Sequence, residues 1–120
     1  MDIEEFEKFV DKAISELPKK FKDAMDNVAV VVEEWPSRRQ SRGHLLLGLY
    51  QGVPKTAWGR WQGQMLPDKI SIFKGPIEFL GNGDLERTKE LIKGTVIHEI
   101  AHHFGISDER INEINKGRAS

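Results

Sequence analysis

Residues 98–108 read His98-Glu99-Ile100-Ala101-His102-His103-Phe104-Gly105-Ile106-Ser107-Asp108, or H-E-x-x-H-x-x-G-x-x-D. Histidines at this spacing lie on one face of an α-helix, about one turn apart. The chain must therefore form a rigid helix here if both imidazoles are to reach one ion. Glu99 is rotated toward the same side and can act as general base on a water in an open coordination position. Leu91, Ile92, Thr95 and Val96 read as the buried stripe of the same helix. Gly105 falls where a helix C-terminus wants a residue at positive φ, and the bend carries Asp108 back toward the histidines. A carboxylate is an ordinary third ligand for zinc, at about 2.0–2.2 Å. Three protein ligands leave a fourth position open, as catalytic sites require.

Plainer roles compete for some of these residues. Ser107 and Asp108 are good N-caps for a short C-terminal helix at Asp108–Lys116. His103 lies about 100° around the helix from His102 and reads as a neighbouring or surface residue rather than a ligand. His98 and His102 as ordinary helix residues would leave both Glu99 and the Gly105–Asp108 extension unexplained.

With 120 residues, a single domain over 1–120 is expected. The absence of cysteine excludes disulfides and thiolate zinc sites, and it suits a cytoplasmic location. A net charge of −1 lacks the basic footprint of nucleic-acid binding. The acidic start, Met1-Asp2-Ile3-Glu4-Glu5, is no secretory signal. The apolar runs Val28–Val32 and Leu45–Leu47 are too short to cross a bilayer, so no membrane partner is expected.

Residues 2–16 have the periodicity of an amphipathic helix, with Asp2 as N-cap and Glu5 as its capping-box partner. Pro18–Met25 reads as a second short helix, and Phe6, Phe9 and Phe21 as core. Val28–Val32 reads as a buried strand and Leu45–Tyr50 as another, loosened by Gly48. Between them, Ser37–Gly43 is a basic loop, either solvated or open to an acidic peptide or phosphate. Gly52–Pro67 is a long loop whose Trp58 and Trp61 either line a cleft or anchor the loop. Lys69–Phe73 alternates as a third strand and Gly75-Pro76 breaks it. Ile77–Leu80 forms one helical turn, Gly81-Asn82-Gly83 a turn, and a long helix runs from the N-cap Asp84 to about Phe104. This order predicts an α+β domain, a three-stranded sheet with helices on one face.

The chain resembles the small bacterial zincin-like, or minimal, metallopeptidases. The resemblance covers most of the chain. It is strongest from Leu66-Pro67-Asp68-Lys69-Ile70 through Gly75-Pro76-Ile77 to the end, and most specific over Thr95–Gly105. It implies a minimal zincin fold, a small mixed sheet packed with an active-site helix and N-terminal helices. In that layout strands 28–33 and 69–74 are parallel, with 45–50 antiparallel at the edge. It implies zinc-dependent endopeptidase activity, with His98, His102 and Asp108 as ligands and Glu99 as general base. Larger metzincins usually have histidine where this chain has Asp108, and no methionine follows Met65 to form their methionine turn.

The implied partner is a peptide or protein substrate, laid as an added strand along Leu46–Tyr50. Water activated by the metal attacks, and Glu99 takes the proton and passes it to the leaving amine. Tyr50, Arg60 and Arg110 are candidate oxyanion donors. Manganese or cobalt would also suit the ligand types. The same residues would serve a metal-binding interaction module without proteolysis, a reading favoured by the chain's small size and the lack of an evident specificity pocket. A metal-dependent ribonuclease fits the near-neutral charge poorly.

Overall fold

A computed structural model describes residues 1–23, 25, 28–52 and 68–103. Helix α1 spans Ile3–Ser15, and the Asp2 carboxylate caps it by accepting from the Glu5 amide at 2.8 Å. Its apolar stripe buries Phe6, Val10 and Ala13. Helix α2 is shorter than its periodicity suggests, Lys19–Asp23, with the amides of Phe21 and Lys22 donating to the Pro18 carbonyl.

The sheet is mixed, in the order β1-β3-β2. Strand β1 (Val28–Glu33) runs parallel to β3 (Asp68–Phe73), with Val30 opposite Ile70 and Val32 opposite Ile72. Strand β2 (Gly48–Gln51) is antiparallel to β3, with Gly48 opposite Ile72 and Tyr50 opposite Ile70. The expected arrangement is therefore present, but burial is distributed differently. β1 was read as the buried strand and is only half-buried, whereas Ile70, Ser71, Ile72 and Phe73 of β3 are sealed. Position decides this: among the described residues, β3 is paired on both sides and β1 on one.

Three local readings are corrected. Ser37–Gly43 is not simply a loop. Ser37 and Gln40 form a reciprocal capping box that nucleates helix α3 (Arg38–Ser41), which ends at Arg42 in the left-handed region. The second strand begins at Gly48, not Leu45. The strand ends before Gly75-Pro76, as expected, but these residues lie inside a helix rather than in a break after it. Helix α4 (Lys74–Gly81) starts at once, with Pro76 in its first turn, where a missing N–H removes no intrahelical bond. Asn82 and Gly83 then turn the chain through positive φ, as the Gly-Asn-Gly pattern predicts.

Helix α5 (Leu85–His103) crosses behind the sheet and meets β2, β3, α1 and α4. Asp84 caps it, accepting from the Arg87 amide at 3.2 Å. Phe6 and Val10 of α1, Ile70 and Ile72 of β3, and Ile92, Val96 and Ile100 of α5 share one core, with Phe9 and Phe21 packed against it. Burying an aliphatic side chain of this size contributes about 1.5–3 kcal/mol. The helix that carries the histidines is thus also the one the core is built around. No helix among the described residues is long and apolar enough to cross a membrane.

Candidate metal centre

The buried stripe of α5 runs Thr88, Ile92, Thr95, Val96, Glu99, Ile100 and His103. Its last turns place polar groups where apolar ones are expected. Glu99 is 5% exposed, in a stripe of isoleucine and valine. An ionised carboxylate there is expensive to bury without a cation or donors beside it. His98 and His102 flank it, both half-buried. Their ring centroids are 4.5 Å apart, at 66° to each other. His102 Nδ1 lies 3.4 Å from Glu99 Oε1.

Ligand atoms of His98, Glu99 and His102 all lie within 4.8 Å of one another. Imidazole nitrogen and carboxylate oxygen suit zinc and its borderline neighbours. The donor chemistry and the buried carboxylate therefore both fit a divalent cation. Asp108, Gly105 and the helix expected at 108–116 lie outside the described residues, as do Trp58, Trp61, Arg60 and Arg110.

Strand β2 closes one side of this centre. A β-carbon on Gly48 would stand 2.6 Å from Thr95 Cγ2 and 3.1 Å from Glu99 Cγ. Glycine lets the strand backbone approach the helix where Glu99 emerges. Gly48 was read as loosening the strand; its role is close packing. Beside it a pocket of about 400 Å³ opens between Leu46–Gly48 and α5, running from Glu90 and Leu91 to His98 and Glu99. Strand β2 is thus at the sheet edge and next to the candidate centre, as the substrate-flanking expectation requires. The sequence offered no evident specificity pocket; the structure has a cavity beside the candidate centre.

A second polar group escaped the sequence reading. His103 is 1% exposed and faces away from solvent. Its Nδ1 lies 2.9 Å from Asp68 Oδ2, and the Tyr50 hydroxyl donates to the same oxygen at 2.7 Å. The Tyr50 and His103 rings meet edge-on, centroids 5.6 Å apart. Burial, reinforced by the hydrogen bond and charge of Asp68, pushes the Tyr50 hydroxyl well above the usual tyrosine range. The cluster ties the end of α5 to β2 and β3 one residue beyond His102. It also turns the Tyr50 hydroxyl toward Asp68, which removes the reason for choosing it as an oxyanion donor. One signal could have found it: His103 falls on the buried stripe, at helical spacing from Glu99 and Ile100.

The model of a protein family described as zincin-like metallopeptidase matches residues 25–118. The match covers most of the chain, and the chain belongs to that family. No curated protein matches it at a significant level.

Proposed function

We propose that this zincin-like metallopeptidase is a zinc-dependent endopeptidase of extended polypeptide segments. His98 and His102, with Asp108 as third ligand, would hold the ion, and Glu99 is the general base. The observation that carries this reading is the buried Glu99 between two histidines, their ligand atoms within 4.8 Å, at the mouth of a pocket.

When bound, zinc supplies Lewis acidity, polarising a carbonyl and lowering the pKa of a water toward ~7. Glu99 takes a proton from the attacking water and delivers it to the departing amine nitrogen. Its apolar surroundings and Gly48 hold it in one place, so the proton acceptor is oriented before substrate arrives. The outer edge of β2 pairs with no strand among the described residues, and an extended substrate can add there through main-chain hydrogen bonds. The Asp68–His103–Tyr50 cluster anchors the helix end from which His102 projects.

A denatured casein pool, incubated with zinc-loaded protein, should be cleaved, and a chelator should stop the cleavage. Metal binding with no cleavage of any pool member would instead favour a metal-dependent interaction module.

A further inference from the structure

We infer that the outer edge of β1 docks an extended segment of another protein, one that carries arginine at alternate positions. β1 and β2 are the two outer strands of the sheet, so this edge lies across β3 from the strand that borders the metal centre. The inference stands apart from the peptidase reading.

A sheet edge presents N–H and C=O groups in need of partners, and native proteins blunt such edges with lysine, proline or a bulge. β1 reads Val28-Ala29-Val30-Val31-Val32-Glu33, with neither lysine nor proline. Its register against β3 is continuous, with no bulge. Among the described residues it pairs with β3 alone. Alternate residues of an outer strand turn their bonding groups outward, and an added strand completes those bonds.

A groove of about 260 Å³ opens between β1 and α1, lined by Val30–Val32, Val10, Glu7 and Asp11. Val10 is buried, and Val30 and Val32 are half-buried against the core, so the floor is apolar. Glu7 and Asp11 are exposed. They stand one turn apart on α1, beyond the first turn, where the helix dipole gains little from acids. Like charges at this spacing slightly weaken a helix. Among the described residues neither side chain has a hydrogen bond or ion pair. The two acids thus do nothing for α1 itself.

Arginine matches both surfaces. Its methylene stem can lie on the valines while the head reaches the carboxylates. The step from Glu7 to Asp11 is about 6 Å along the helix axis. Residues i and i+2 of a strand are about 6.6 Å apart and share a face. An occupant with arginine at every second position therefore meets both acids. A second copy of this chain is the poorer occupant. Antiparallel pairing of two β1 edges about a two-fold axis would set one acidic wall against the other.

The test titrates ¹⁵N-labelled full-length protein, with chelator present, with acetyl-Val-Arg-Val-Arg-Val-amide. Amide resonances of Val10, Asp11 and Ala29–Val32 should shift, and those of Gly48–Gln51 should not. The same peptide with glutamate for arginine should not bind. A Glu7→Gln/Asp11→Asn double variant, folded by circular dichroism, should weaken binding about fivefold or more. Two further peptides, one N-methylated at the valines and one at the arginines, keep every side chain, and one of them should lose binding because its main chain can no longer pair.

Shifts confined to β2, or none, overturn the inference. So does equal binding by the double variant or by the glutamate peptide. Full binding by both N-methylated peptides rules out strand addition. A dimer in sedimentation velocity that the arginine peptide does not disperse gives the edge to a second copy instead.

Discussion

Gly48 and Glu99 belong to different elements, yet a β-carbon on the glycine would reach 3.1 Å from Glu99 Cγ. The Thr95 methyl is closer still, at 2.6 Å, so any side chain at position 48 must push aside Thr95, the stem of the buried carboxylate, or the helix that carries both. Gly48→Ala should destabilise the fold by about 1–3 kcal/mol, as overpacking does. The urea midpoint should fall with the denaturant slope unchanged. Activity should fall further than the lost folded fraction explains, because the proton acceptor moves.

Glu99→Gln keeps the volume and removes the base. Zinc content, measured by mass spectrometry after dialysis, should stay at the wild-type level. Peptide cleavage should drop at least about 10²-fold, the lower end of what general-base catalysis contributes. Cleavage at the wild-type rate by this variant would remove Glu99 from the mechanism.

His98→Ala and His102→Ala should each lose zinc in titration calorimetry. Asp108→Ala should weaken binding and Asp108→His restore it, since imidazole replaces carboxylate as a ligand. A ligand that binds only the folded state at 100 times its Kd stabilises by about 2.7 kcal/mol. Chelation should therefore lower the Tm of wild type by several degrees and leave the Tm of His98→Ala unmoved.

Tyr50 holds its proton more tightly in the folded protein than in the unfolded chain, where tyrosine titrates near ~10. Its neutral hydroxyl therefore contributes stability that is fully present below that pH and is lost as pH climbs beyond it. Tyr50 is the single tyrosine of the chain, so tyrosinate absorbance reports on it alone. In an alkaline titration, absorbance should rise only together with the loss of helical circular dichroism. Tyrosinate forming at the ordinary pH in a still-helical protein would contradict the half-buried Asp68–Tyr50 bond.

The elements that were legible carry their own signals. Helix α5 has a long stripe and a capping aspartate, and β3 alternates. α3 was hidden although its signal, Ser37-x-x-Gln40, was on view, because a polar run between strands reads as loop. The turn read at Ile77–Leu80 lies inside α4, but the start of that helix was hidden by a proline whose effect depends on where in a helix it falls. The histidine–glutamate cluster was legible because one helix holds it all. The Asp68–His103–Tyr50 cluster was not, because three separate segments meet only once β3 lies between its neighbours.

Strand β2 is short, running only from Gly48 to Gln51. Antiparallel residues point their bonding groups alternately to either side, so its outer margin offers about four hydrogen bonds to a docked chain. At about 0.5–1.5 kcal/mol net each, such a grip is too feeble to pry open folded proteins. On the proposed peptidase reading, such an edge, left open among the described residues, would suit extended and already unravelled polypeptide rather than folded protein.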